Sequence, residues 1–549
     1  MRAPIFTSQV IGIACSLLSM HIAKADVSNQ FPPLLDATLE ELRHGLDSGA
    51  FASVDLVDAY LTRINEVNSV LRPVAEINPD ARAIAAHLDA ERPSFVTASK
   101  PLHGVPVLVK NNMATYDSMN TTAGSYALLG AKVPEDSTVV AKLRKAGAVI
   151  LGKTNLSQWA AFRSLYMSNG WSAYGGQTVG AYYPGQDPSG SSSGSGVASS
   201  IGLAWASLGT ETDGSILYPA LANNVVGIKP TVGLTSRYLV IPVSEHQDTI
   251  GPMARTVKDA AYLLSAIAGP DPMDNYTSAF PFRKVPDYSK ACNLSGLKGR
   301  RLGVPRNLIT TNASDPSVAA FESALNVLRE AGAEIIDGLR FPGMDIFNKD
   351  FLTAYLAVLK ADFLTNLPNK YLSLLVSNPS NITSLRDLLA FTHTSPKEGF
   401  PHHDTRIWGQ ALAQGFNNTS SEFWSKRNAI IYLAGHLGLT GALKNYTLDA
   451  IVLPTEFIAN TAGILGTPVV TVPLGRTPDT TPFEKDVFGN LNAKGPNMPF
   501  GIGFAGNKWS EESLIGMAFA FEQRTQIRKT IKPFIRPRTE LGDIVHRKS

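Results

Sequence analysis

The sequence predicts an α/β protein in which helices layer against a sheet, and three observations carry that prediction. An apolar strand at 104–109 is followed by helical spacing over 137–146 and by a second apolar strand at 148–151. Strand, helix, strand is the order of a layered α/β architecture. Strand-like runs return late, at 450–453 and 468–472, ahead of a last helix. With 549 residues, 44% of them hydrophobic and 17% charged, the chain also has the means to bury a large core.

Taken in order, residues 1–25 read as a secretory signal, with Arg2 first, an apolar stretch over 10–20, and Ala23-Lys24-Ala25 before Asp26. That stretch is too short to span a membrane, and no later segment supplies about 18 uninterrupted apolar residues. Thr38 and Glu41 make a capping box that starts a helix. Ser53 begins another, with Val54, Val57, Leu61 and Ile64 on one face. Lys110 ends the 104–109 strand, a place from which a lysine ordinarily snorkels to water. Arg255 to Leu264 reads as a helix, whereas 270–440 carries only helical patches and a polar run at 395–406. Ser510 is placed to cap the last helix, whose apolar face is Leu514, Met517, Ala518 and Phe521.

A net charge of +3 without a basic run excludes nucleic acid as an expected partner. Sequons at Asn120, Asn275, Asn293, Asn312, Asn381, Asn417, Asn418 and Asn445 agree with export; Asn155 heads another, in a neighbourhood that reads as buried. Beyond Cys15 only Cys292 remains, so the mature chain cannot close an internal disulfide.

Three motif matches fail on context. Gly147 to Thr154 fits the phosphate-loop pattern, but Ala, Val, Ile and Leu fill the positions between its glycines and the segment is itself a strand. Gly501 to Gly506 fits the dinucleotide pattern with no βαβ unit after it. Gly190 to Gly194 fits a nucleophile elbow at Ser192, but turn-forming residues at 183–188 precede it where a strand is needed. No metal-binding histidine motif occurs, and His402-His403 reads as a solvated loop.

The segment 187–220 remains. It holds a glycine–serine run, a small-residue apolar stretch and a second turn at Asp213-Gly214-Ser215. Such turns bring backbone N–H groups and hydroxyls close to a ligand. Here the sequence resembles the amidase signature family. GVPVLVKNN at 104–112, SGSSSGS at 189–195 and GTETDGSILYPA at 209–220 carry the resemblance. TTAGSYALLG at 121–130, VGIKPTVGL at 226–234, IPVSEHQDTIGPMARTVKDAA at 241–261, LDAIVLPT at 448–455, LGTPVVTVPLG at 465–475 and the helix at 510–525 extend it. It is dense over about 100–270, recurs over about 448–526 and is thin between.

The resemblance implies one α/β/α domain over 26–549 around a large mixed sheet, with a variable substrate-pocket region at about 270–440. It implies a triad of Ser215 as nucleophile, Ser191 (after a cis peptide from Gly190) as bridge and Lys110 as base. Oxyanion donors would be the N–H groups of Thr212, Asp213, Gly214 and Ser215. No cofactor or metal is called for, and the expected partner is a small amide, with a homodimer left open. The expected reaction is amide hydrolysis through a seryl acyl-enzyme. The alternatives are a serine esterase, a silent binding protein and an amidotransferase-like subunit. Four positions, Asn111, Ser189, Ser193 and Leu217, depart from the family's common pattern, and Leu217, where an arginine is frequent, argues against small polar substrates.

Overall fold

The computed structural model describes residues 31–92, 100–346 and 349–545; the signal segment expected at 1–25 lies outside them. Eleven strands form one sheet: β1 (Val74–Ile77), β2 (Pro106–Lys110), β3 (Val149–Thr154), β4 (Ala206–Glu211), β5 (Val226–Lys229), β6 (Thr249–Ala254), β7 (Arg301–Pro305), β8 (Glu334–Leu339), β9 (Ala450–Pro454), β10 (Val469–Arg476) and β11 (Pro499–Ala505). Their order across the sheet is β1-β3-β2-β4-β6-β5-β10-β11-β9-β7-β8.

The sheet is mixed. Parallel pairs lie toward its two ends, β3–β2–β4 and β9–β7–β8, and antiparallel pairs join them through the middle. Every residue of β2, β3, β4, β5, β6, β9 and β11 is buried. Successive strand residues point to opposite faces, so both faces are covered, as a layered α/β/α architecture requires. Among the described residues no helix is long and apolar enough to cross a membrane.

The thinly patterned region divides in two. Residues 301–339 supply β7, β8 and the helix Pro316–Glu330 to the sheet. At ~4.8 Å per strand, β7 stands roughly 30 Å from β4. The remainder is a helical cap with its own apolar core: the helices Lys349–Lys370, Leu385–Thr394, Arg406–Ala413 and Ser421–Ile431 pack with Ala123, Trp159, Phe162 and Ile241.

The capping box forms as expected, with Thr38 accepting from the Glu41 N–H and Glu41 from the Thr38 N–H. The cap expected at Ser510 does not. Its backbone (φ −95°, ψ 14°) is not extended, and the hydroxyl instead donates to the Asn507 carbonyl at 2.7 Å. The phosphate-loop match is strand β3, and the dinucleotide match is the end of β11 and the residue after it.

Candidate active site

β2 and β4 are parallel neighbours, and the site is built where both end. β2 delivers Lys110, which is wholly buried. β4 runs into the turn at 212–216 that carries Ser215. Between them the glycine–serine run enters from an irregular loop and becomes the helix Ser193–Ser200. The peptide Gly190–Ser191 is cis.

The Lys110 ammonium donates to Ser191 Oγ at 2.7 Å, Ser192 Oγ at 2.9 Å, Thr210 Oγ1 at 2.9 Å and the Thr210 carbonyl at 3.2 Å. All of its partners are uncharged. Burial pushes its pKa down to about 7, with Glu211 and Asp248 pulling partly back. The snorkelling alternative is thereby excluded: the side chain is enclosed by hydroxyls. The Ser191 carbonyl accepts from the Ser157 N–H at 3.1 Å, and the Ser192 N–H donates to the Ser215 carbonyl at 3.1 Å, so the two serine loops are laced together. Ser192 is buried and donates to the Thr210 carbonyl at 3.1 Å, which makes it a structural member of the cluster.

Gly214 sits at φ +80°, and a Cβ there would meet the Tyr218 ring at 2.0 Å. Only glycine combines that left-handed backbone with that contact. Sequence reasoning missed what holds this turn. The Glu211 carboxylate accepts the N–H of Ile216 at 2.7 Å and of Leu217 at 3.0 Å. Thr212 Oγ1 donates to Asp248 at 2.6 Å, and Tyr355, from the cap, donates to the Asp213 carboxylate at 2.9 Å. Burial raises the pKa of Asp213 to about 7 against that hydrogen bond, and the pKa of Asp248 to about 6. Only proximity in the fold could have revealed these partners, since 36 and 142 residues separate them from Thr212 and Asp213.

The departures from the family pattern have local reasons. Asn111 Oδ1 accepts from the Thr122 N–H at 2.9 Å and its hydroxyl at 2.6 Å, fixing the loop beside Lys110. Ser189 adopts φ +58°, and Ser193 donates to its carbonyl at 2.5 Å. Leu217 is buried. The expectation of a solvated His402-His403 loop holds for His402, which is exposed, and not for His403, which is half-buried and stacks on Trp171 with ring centroids 3.5 Å apart; burial takes the His403 pKa down to about 4.

Glu245, His246 and Asp362 bring three possible metal ligands within 4.8 Å of one another. Each is already engaged. His246 Nδ1 lies 2.9 Å from Asp362, and the Asn418 amide donates to Asp362 at 3.0 Å and to Glu245 at 3.2 Å. The group is a hydrogen-bonded support of the cap.

A family model described as Amidase matches residues 55–515. This chain belongs to the amidase family. A putative amidase of Arthroderma benhamiae is 49% identical over 94% of this chain and 90% of its own. The crystal structure of the peptide amidase of Stenotrophomonas maltophilia superposes with a TM-score of 0.80 at 36% identity, covering 92% of this chain and 99% of that one. More distantly, a component of the glutamyl-tRNA(Gln) amidotransferase of Geobacter metallireducens is 31% identical over 90% of this chain and 98% of its own. As an amidase, the protein hydrolyses carboxamide C–N bonds, and its mixed eleven-stranded sheet is the fold of that family.

Proposed function

We propose that this amidase cleaves linear amides through a Ser215–Ser191–Lys110 triad and an acyl-enzyme on Ser215. The observation that carries the reading is the environment of Lys110, a buried amine with hydroxyl and carbonyl partners and a pKa lowered to about 7. A lysine serves as base only when neutral, and burial supplies that state near neutral pH.

In the acylation step Ser215 Oγ bonds to the substrate carbonyl carbon while its proton passes to Ser191 Oγ, and the proton of Ser191 passes to Lys110 Nζ. Backbone N–H groups of the 212–215 turn receive the oxyanion. The tetrahedral intermediate collapses as the C–N bond breaks, and the departing nitrogen takes a proton from Ser191, which Lys110 replaces. Water then enters by the same relay in reverse roles, releasing the acid and restoring Ser215.

Linear substrates are favoured by the likeness to a peptide amidase. Leu217, buried where an arginine is frequent, supports apolar or peptidic amides over small polar ones. The signal-like residues 1–25 and the exposed sequons support a secreted protein.

Labelling with a fluorophosphonate followed by peptide mass mapping tests the triad. The expected adduct is on Ser215, and Ser215→Ala abolishes it together with turnover of a C-terminal peptide amide. An adduct on Ser192, or none on folded protein, overturns the reading.

A further inference from the structure

We propose that Tyr355 and Gln247 are positioning residues of the oxyanion hole: together they fix the Thr212–Asp213 peptide so that the Asp213 N–H faces the substrate carbonyl oxygen. The inference rests on the reading of Ser215 as nucleophile given above.

A trans peptide is planar, with its C=O and N–H pointing to opposite sides. Whatever holds the carbonyl therefore aims the N–H. The Thr212 carbonyl accepts from Gln247 Nε2 at 3.2 Å, and the same nitrogen donates to the Tyr355 hydroxyl at 2.9 Å. Tyr355 spends its one proton on Asp213 Oδ2, also at 2.9 Å. The hydrogen bonds thus run one way, from Gln247 through Tyr355 to Asp213. A third tie holds the Thr212 side chain, through Asp248, which is itself fixed by the N–H groups of Val243 at 2.8 Å and Ser244 at 3.0 Å. All three ties bear on the carbonyl and side chains of residues 212 and 213. Among the described residues no protein acceptor meets the Asp213 N–H.

Tyr355 and Gln247 are 5% and 4% exposed, so their hydrogen bonds are shielded from water and costly to leave unmade. A tyrosine that served only as packing would need no hydroxyl, whereas here the hydroxyl is both acceptor and donor. Tyr355 belongs to the helix Lys349–Lys370 of the cap, in the stretch where the family's motifs are thin. The cap that borders the turn therefore also sets one of its donors, which ties the choice of acyl group to the rate of the chemical step.

Tyr355→Phe and Gln247→Met test this in the full chain. Expected for each is a fall in kcat of about tenfold, less than the hundredfold or more that follows loss of a whole oxyanion donor. KM for a peptide amide stays within about twofold, and the inhibition constant of a peptidyl trifluoromethyl ketone, whose adduct carries the oxyanion, rises about tenfold. Thermal midpoints and fluorophosphonate labelling of Ser215 report whether fold and nucleophile survive. If Tyr355→Phe fails to fold, Gln247→Met, which leaves the Tyr355–Asp213 bond in place, carries the same test. Wild-type kcat in either labelled variant, or a raised KM at unchanged kcat, overturns the inference while leaving the triad standing. An adduct elsewhere than Ser215 in the wild-type protein overturns both.

Discussion

A lysine that accepts a proton has to spend a useful fraction of its time neutral, and Lys110 does so because no solvent and no paired carboxylate stabilise its charge. With its pKa lowered to about 7, the neutral form dominates above that pH and vanishes below it. We therefore expect kcat/KM to rise through about pH 7 and to fall tenfold per unit on the acid side, read from a pH–rate profile in the free enzyme. The groups of opposite charge acting on Lys110 are Glu211 and Asp248, and both favour its charged form. Glu211→Gln removes one of them, so the acid limb should move to lower pH; a limb that stays in place would mean that Glu211 carries no charge in the working enzyme. Lys110→Ala should cost about 10²–10⁴ in kcat, the usual range for a general base. At this scale the sequence was legible only in part. Lys110, Ser191 and Ser215, the residues of the proposed triad, stand out because each lies in a short motif. Glu211 lies in the same motif as Ser215, but its job of gathering N–H groups exists only once the turn is folded. Gln247 and Asp248 lie in the family-like segment 241–261 without a role that its pattern assigns, and Tyr355 lies in no motif at all.

The elements that position those residues follow local rules that a sequence expresses well where strands are buried on both faces. β2 and β3 read as continuous apolar runs because neither face meets water, and the same reasoning dismissed the phosphate-loop match. β7 and β8 escaped. β8 has exposed and half-buried residues ahead of a buried Leu339, so its pattern never settles into an apolar run. Turns express their demands through glycine, and Gly214 makes the sharpest one. Gly214→Ala would strain a left-handed residue and drive a methyl into the Tyr218 ring. Gly49, at the end of the helix Leu39–Ser48, shares the left-handed backbone (φ +72°), but a Cβ added there would meet nothing within 4 Å. Gly49→Ala should thus cost about 1–2 kcal/mol of stability for conformation alone. Gly214→Ala should exceed it by about 1–3 kcal/mol for the overpacking and lose Ser215 labelling as well. Urea denaturation of the two variants side by side separates the two costs; equal losses would show that Tyr218 moves aside freely.

Across the whole molecule the sheet is joined to the helical cap by buried polar contacts as well as apolar packing. Arg163 and Glu398 have fully buried side chains and pair at 3.2 Å, and Glu398 also accepts from Ser125 at 2.8 Å, the Tyr126 N–H at 2.7 Å and Gln158 at 2.6 Å. Glu398→Ala leaves a buried guanidinium with neutral acceptors and without the carboxylate it pairs with, so a loss of about 3–5 kcal/mol is expected in urea denaturation. Breaking the exposed Arg340–Asp345 pair should change stability by no more than about 1 kcal/mol. The cap also decides which sequons can carry a glycan on the secretory route proposed above. Asn155 is buried and donates to the Gly176 carbonyl at 2.9 Å and to Thr178 at 3.0 Å. Asn418 is 5% exposed, with its amide nitrogen committed to Asp362 and Glu245. Asn275, Asn293, Asn312, Asn381 and Asn445 stand in the open. A sequence can mark all of them alike, because a sequon is three residues long and burial is a property of the fold. Glycopeptide mapping of protein secreted from a eukaryotic host should find sugars only among the exposed asparagines. A glycan on Asn418 of active enzyme would contradict the cap, since a sugar on that nitrogen removes a proton that its two carboxylate contacts share and has no room beside them.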